Sequence, residues 1–346
     1  PYLVSSTAEG AARRPRLTPA MADARRAVRE CLQRHTSSVS TGAAFLVAVS
    51  GGADSLALAW AAAFELPRHG YRPLAVVVDH QLQEGSDGVA QTAKAVVEGF
   101  GLEAQIVRVS VSGDGGVENA ARQARYEALG THANTHRAEG VMLAHTLDDQ
   151  AETVLLGLAR GSGPQSLSGM AELNGMWWRP FLGVRRQTTE QVLRDIGVSW
   201  WVDPQNSDRI FLRPRVRHDV LPLLEEAFGP GVPESLARTA DLLREDNDFL
   251  EGLAEEAVAG VATDGGLSME ALTELPPVIA SRVIRTAVSS VTGEALSHAH
   301  TTVVMALVTD WKGQGPIDVP GGTVRRVGSE LLVTKTSSSS AAGEMH

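Results

Sequence analysis

The chain has 346 residues, 43% of them hydrophobic and 21% charged, and a formal net charge of −10. That length suits two domains, and no apolar stretch approaches the roughly 20 residues needed to cross a bilayer. A solitary Cys31 excludes an intramolecular disulfide, a cysteine-only zinc site and a Cys-x-x-Cys sulfur relay, and the composition suits a cytoplasmic enzyme.

Residues 1–16 are polar and arginine-containing, with no apolar segment of signal-peptide type, and residues 1–40 read as an extension with a leading helix. The apolar run Phe45-Leu46-Val47-Ala48-Val49 predicts a buried strand, and residues 56–66 an alanine-rich helix. Between them Ser50-Gly51-Gly52-Ala53-Asp54-Ser55 forms a strand-to-helix turn. Its paired glycines let the backbone turn sharply and bring N–H groups close to an anion, and the helix start adds unpaired N–H groups and the positive end of a dipole. The hydroxyls of Ser50 and Ser55 can donate to phosphate oxygens, and Asp54 can hold a hydrated Mg²⁺. No Gly-Lys-Ser/Thr follows, so this is not a Walker loop.

Strand signals at 43–49, 73–78, 104–109 and 141–144 alternate with helix signals at 56–66, 87–100, 117–137 and 148–160. This rhythm predicts an α/β fold with a parallel, doubly wound sheet whose ligands bind beyond the C-terminal strand ends. The glycine loop, Asp79-His80 and His145 all fall at that edge. In Ala144-His145-Thr146-Leu147-Asp148-Asp149-Gln150-Ala151-Glu152-Thr153, either Thr146 or Asp148 can cap the helix. Asp149 and Glu152 share a helix face, with His145 one turn earlier. That face suits a divalent metal, an ammonium group or both; capping acids and a structural histidine are the plainer alternative.

Residues 161–169 form a Gly/Ser/Pro loop. Charge is then sorted along the chain. Between 179 and 217 lie Arg179, Arg185, Arg186, Arg194, Arg209, Arg213, Arg215 and Arg217, whereas 241–256 carries seven acids and one arginine. The basic part can meet nucleic-acid phosphates, and structural ion pairing is the alternative. Trp177-Trp178 and Trp200-Trp201 are candidate stacking platforms, although core packing suits at least one tryptophan of each pair. The Gly/Pro-rich stretch 228–233 marks a linker. Helices are predicted at 234–261, 277–291 and 301–309, a small hairpin-type sheet at 317–319, 324–327 and 331–335, and a low-complexity disordered tail at 337–346.

The loop at Ser50–Ser55 resembles the SGGxDS loop of the N-type ATP pyrophosphatases, the PP-loop ATPases with an adenine nucleotide alpha hydrolase-like fold. The ordered series of motifs is more specific. Val78-Asp79-His80-Gln81-Leu82, Glu118-Asn119-Ala120-Ala121-Arg122-Gln123-Ala124-Arg125-Tyr126, the run from Ala144 to Thr153, and Arg160-Gly161-Ser162-Gly163 occur in turn. Leu167-Ser168-Gly169-Met170, Arg179-Pro180-Phe181-Leu182, Asp203-Pro204-Gln205-Asn206, Arg213 and Arg217-His218 complete it. Over roughly residues 46–225 the chain thereby resembles the tRNA(Ile)-lysidine synthetase family. It departs from the pattern at Gln83, Gln205 and Pro214, where the family commonly has Arg, Ser and Asn.

The resemblance implies a ligase that uses ATP and Mg²⁺ to adenylylate C2 of the wobble cytidine in the CAU anticodon of tRNA(Ile), then joins L-lysine there with loss of AMP. It implies a catalytic domain over 41–228 and a smaller helical-plus-β, tRNA-associated domain over 234–336. ATP would be held by Ser50, Gly51, Gly52, Ala53, Asp54, Ser55 and His80, and the metal by Asp54 and Asp149. Lysine would be held by His145, Asp149 and Glu152. Catalytic roles fall to Asp54, Arg125, His145, Asp149 and Glu152, and tRNA contacts to Arg160, Arg185, Arg186, Arg213 and Arg217. No membrane partner is expected, and the oligomeric state, a homodimer included, stays open. A thiolase of the same fold would need paired cysteines. A free-metabolite amide ligase leaves the arginine-rich segment unexplained, and a non-catalytic RNA-binding protein leaves Asp54, His145, Asp149 and Glu152 unexplained.

Overall fold

A computed structural model describes residues 17–79, 81, 85–109, 117–161, 163–203 and 209–336. The segments 1–16 and 337–346, together with His80, Gln83 and Gln205, lie outside the described residues. The chain divides into two compact units, one of residues 1–160 and 169–239, the other of 161–168 and 240–346.

In the first unit six strands, β1 (Ala44–Val49), β2 (Arg72–Asp79), β3 (Glu103–Arg108), β4 (Ala138–Met142), β5 (Leu173–Asn174) and β6 (Trp177–Trp178), form one sheet in the order β3-β2-β1-β4-β6-β5. All neighbours are parallel except β5 and β6. Side chains alternate across a strand, and here the alternation feeds two cores. Phe45, Val47, Val49, Ala75 and Val77 join one with helices α1 (Pro19–His35), α2 (Ala53–Arg68), α3 (Ser86–Gly99) and α7 (Arg186–Asp195). Ala44, Leu46, Leu74, Val76 and Val78 join the other, against Leu129 and Ala133 of α4 (Val117–Thr135). A strand buried on both faces needs an unbroken apolar run, which is why 45–49 carries no polar residue. The leading helix α1 is an integral part of this core, with Ala24, Val28, Cys31 and Leu32 all fully buried.

The chain winds from β1 outward through β2 to β3, then returns to place β4 on the other side of β1. The crevice beyond the ends of β1 and β4 is therefore the topological switch point, where such sheets bind ligands. The glycine loop leaves β1 at this point. The segment 143–146 leaves β4 and opens helix α5 (Leu147–Ala159). The short helix α6 (Pro164–Leu167) follows, and after α7 the chain continues through α8 (Leu212–Arg215), a π-helical turn (Val216–Val220) and α9 (Leu221–Phe228).

Helix α9 ends at Phe228 and α10 (Val232–Val261) begins after the Gly/Pro stretch; the division between the units at 239/240 falls within α10. The second unit adds α11 (Met269–Glu274), α12 (Pro277–Thr292) and α13 (His298–Thr309). Its antiparallel sheet runs β7-β10-β9-β8, from β7 (Leu267–Ser268), β8 (Ile317–Val319), β9 (Gly322–Val327) and β10 (Glu330–Lys335). Leu272, Ile284, Val304, Leu307, Val324 and Leu331 form its core.

Candidate functional site

Gly51 adopts φ +85°, a left-handed conformation that favours glycine, and a Cβ there would lie 3.4 Å from Val89 Cγ1. The Ser50 N–H donates to Ser55 Oγ at 3.1 Å, and the Ser55 hydroxyl donates to the Gly52 carbonyl at 2.9 Å, which pins the turn to the first turn of α2. Trp201 donates its N–H to the Gly51 carbonyl at 3.0 Å. Gly52 is the N-cap of α2 and brings no side-chain cap. The opening N–H groups of a 16-residue helix are thus left for an anion.

Asp54 sits in the first turn of α2 and points away from this cradle toward α7. Its Oδ1 accepts from the hydroxyl of the fully buried Thr189, and its Oδ2 accepts from Arg186 Nε at 3.2 Å. Burial pushes its carboxyl above the usual range, and Arg186 and the Thr189 hydrogen bond work against that.

Thr146 is the N-cap of α5 and forms a capping box with Asp149. Asp149 Oδ2 accepts from the Thr146 N–H at 2.8 Å and from its hydroxyl at 2.9 Å. Its other oxygen, Oδ1, accepts from Arg186 Nη2 at 2.8 Å and from Arg217 Nη2 at 3.3 Å. Burial opposes ionisation of Asp149, but Arg186, the Thr146 N–H and Arg217 outweigh it and hold the carboxyl below its ordinary value. Glu152, one turn on, is fully buried, and its oxygens accept from Arg217 Nε at 2.6 Å and Nη2 at 3.1 Å. One capping acid and one site acid are therefore combined in Asp149, each oxygen with its own task.

His145 precedes the cap. Burial first, then the positive charges of Arg125, Arg179 and Arg122, push its pKa down to about 3 against the opposing pull of Asp149, so the ring is neutral. Its Nδ1 is buried without a hydrogen-bond partner among the described residues, as is Nε of Arg125. Burial lowers the Arg125 pKa, and Arg122 and Arg213 push the same way against Tyr126 and Asp149. Buried polar atoms left unpaired cost free energy, and here two of them lie near Asp149.

Of the five arginines expected at tRNA, three pair with carboxylates of this chain. Arg186 and Arg217 lie among the carboxylates of Asp54, Asp149 and Glu152. Arg185 lies 3.2 Å from Asp148 Oδ1 and 2.9 Å from Glu234 Oε1. The reason is electrostatic: a buried carboxylate group needs nearby cations more than a solvated phosphate does. Arg160 is exposed at the end of α5, and Arg213 reaches Thr153 Oγ1 at 3.5 Å. Thr189 and the Trp201 backbone were not legible as site groups, because nothing local links residues 189 or 201 to a loop at 50–55. His80 lies outside the described residues.

The fold and the cradle define a PP-loop nucleotide-binding domain, and residues 22–224 match the family model described as PP-loop domain. The solved U34-tRNA thiolase NcsA from Methanococcus maripaludis shares this fold, with a TM-score of 0.55 at 18% identity, covering 65% of this chain and 80% of that one. Residues 267–332 match a second model, the TilS substrate binding domain. A tRNA(Ile)-lysidine synthase from Leifsonia xyli subsp. xyli is 51% identical over 294 residues, covering 83% of this chain and 89% of the relative. One from Streptomyces coelicolor is 49% identical over 296 residues, covering 83% and 84%. The chain belongs to the tRNA(Ile)-lysidine synthase family, ligases built on an ATP-using PP-loop domain.

Proposed function

We propose that this chain joins L-lysine to C2 of the wobble cytidine of tRNA(Ile) carrying a CAU anticodon, in two half-reactions at the switch-point site. The observation that carries the reading is that one guanidinium, Arg186, ties Asp54 of the phosphate turn to Asp149 of α5. The groups for nucleotide and for amine thus belong to one site.

In the first half-reaction the cytidine C2 oxygen attacks the α-phosphorus of ATP and pyrophosphate leaves. The Gly51–Gly52 turn and the opening N–H groups of α2 hold the phosphates as charge builds on them. Asp54 and Asp149 are hard oxygen donors of the kind that would hold Mg²⁺. When bound, Mg²⁺ neutralises phosphate charge. In the second half-reaction the lysine ε-amine attacks C2, and the C2–O bond breaks as AMP leaves with that oxygen. The carboxylates of Asp149 and Glu152 collect the ammonium. His145 stays neutral beside them, so it adds no positive charge to repel the incoming ammonium.

Sulfur delivery receives no support from this chain. Cys31 is fully buried in α1, and burial, then Glu172, push its thiol far above the ordinary range. The reading is tested by incubating the protein with labelled lysine, ATP, Mg²⁺ and a CAU-anticodon tRNA(Ile) transcript. Label is expected in the tRNA, and Asp54→Asn is expected to abolish both labelling and pyrophosphate release. Absence of label with the wild-type protein would sink the reading.

A further inference from the structure

Arg186 is the first residue of α7, and its side chain spans acids from two separate elements. Nε lies 3.2 Å from Asp54 Oδ2, Nη2 lies 2.8 Å from Asp149 Oδ1, and Nη1 lies 3.7 Å from Glu152 Oε1. Its backbone N–H donates to Asp148 Oδ2 at 2.7 Å, so the main chain is tied to α5 as well. One turn along α7, the Thr189 hydroxyl meets Asp54 Oδ1, and Thr189 Oγ1 also lies 2.7 Å from the Arg186 carbonyl oxygen. Both oxygens of Asp54 are therefore directed by α7.

Three carboxylates, Asp54, Asp149 and Glu152, face two guanidiniums, Arg186 and Arg217. A phosphate placed on Arg186 would have to sit against these carboxylates.

We propose that Arg186 and Thr189 are a positioning pair of the ATP and lysine site, holding Asp54 of the phosphate turn in register with Asp149 and Glu152 of α5, and that Arg186 is not an RNA contact. The proposal rests on the lysidine-forming reading for its lysine arm only. Arg186 does by a planar fork what a lysine cannot, because bridging several carboxylates needs donors in fixed directions. Thr189 needs only its hydroxyl.

The test uses the full chain with Arg186→Gln, Arg186→Lys, Thr189→Val and Thr189→Ser. Binding of α,β-methylene-ATP with Mg²⁺ is followed by calorimetry, the lysine KM by labelling, and tRNA affinity by filter binding across a salt series. Arg186→Gln and Thr189→Val are expected to weaken the analogue by about tenfold or more, the effect of losing a charge-assisted hydrogen bond. Arg186→Gln also raises the lysine KM. Arg186→Lys recovers part of the loss, Thr189→Ser recovers most of it, and tRNA affinity and its salt slope stay at the wild-type values. If Arg186→Gln instead lowers tRNA affinity and flattens the salt slope while analogue binding is unchanged, the proposal is overturned. Thr189→Ser behaving like Thr189→Val overturns the hydroxyl's part in it. Should Arg186→Gln fail to fold, the threonine pair and Arg186→Lys still decide. A wild-type protein that incorporates no lysine defeats the functional reading alone, since the analogue-binding arm is read without chemistry.

Discussion

Glu152 has no exposed surface, and its charge is answered by Arg217 Nε at 2.6 Å. Glu152→Gln removes the charge that collects the ammonium and leaves Arg217 facing an amide. The lysine KM is expected to rise by tenfold or more, since a hydrogen bond to a charged group contributes about 1.5–3 kcal/mol, with a smaller effect on ATP. Steady-state lysine incorporation measures this, and an unchanged KM removes Glu152 from the pocket. His145 supports a prediction about pH. Its folded pKa, about 3, lies below the ordinary 6.5, so the unfolded chain binds the proton first as pH falls. The stability held by keeping His145 neutral is therefore fully present above 6.5 and is lost as pH falls from 6.5 toward about 3. Asp149 acts in a separate window: its pKa is depressed below 3.8, so its contribution is lost only at lower pH. Urea unfolding at pH 7 and pH 5 should show the decline, and His145→Gln should flatten it; an identical decline in the variant would clear His145. The acids and the histidine of the α5 motif were legible because His145, Asp149 and Glu152 follow one another at spacings of four and three residues. Their arginine partners were not. Arg186 is 132 residues from Asp54, and one sequence does not say whether an arginine meets a phosphate of RNA or a carboxylate of its own chain.

At the scale of elements, β1 to β4 and the helices between them follow directly from apolar runs and glycine punctuation, to within a few residues. The two-residue strands β5, β6 and β7 did not, because periodicity needs more residues than they have. Trp177-Trp178 shows the cost of that gap. The pair, a candidate stacking platform with at least one indole suited to the core, is strand β6, bonded in parallel to β4. Trp178 is buried and meets Phe45 and His35 edge-on at 5.1 and 5.7 Å, while Trp177 meets Tyr126 at 4.6 Å. Gly140 of β4 is small because Trp178 lies over it: a Cβ there would fall 2.2 Å from the indole Nε1. Gly140→Ala forces the indole or the strand to move, and overpacking of this kind costs about 1–3 kcal/mol. A lowered urea midpoint with an unchanged m-value is expected. A midpoint equal to that of the wild type would mean that the indole moves without cost.

The whole molecule carries a net charge of −10 yet belongs to a family whose substrate is a polyanion, so its cations must be placed where they count. The sorting of charge along the chain pointed to the segment 179–217, but much of that charge is spent internally. Arg185, Arg186 and Arg217 answer Asp148, Glu234, Asp54, Asp149 and Glu152, and Arg209 lies 3.1 Å from Asp219. A residue that balances a carboxylate releases no counterion on binding RNA, so it adds nothing to the salt dependence. Arg160 and Arg213 differ from these four, since neither contacts a carboxylate within 4.0 Å among the described residues. If they touch phosphate, replacing both with Ala should weaken tRNA binding equally for matched and mismatched anticodons. It should also reduce the slope of log K against log salt by about 0.7–0.9 per contact. Arg185→Ala in the same assay should leave the slope alone and lower the unfolding midpoint, because it strips Asp148 and Glu234 of their partner. Filter binding between low and moderate salt separates the two outcomes. A slope change in Arg185→Ala, with none in the double variant, would return the RNA face to the start of α7.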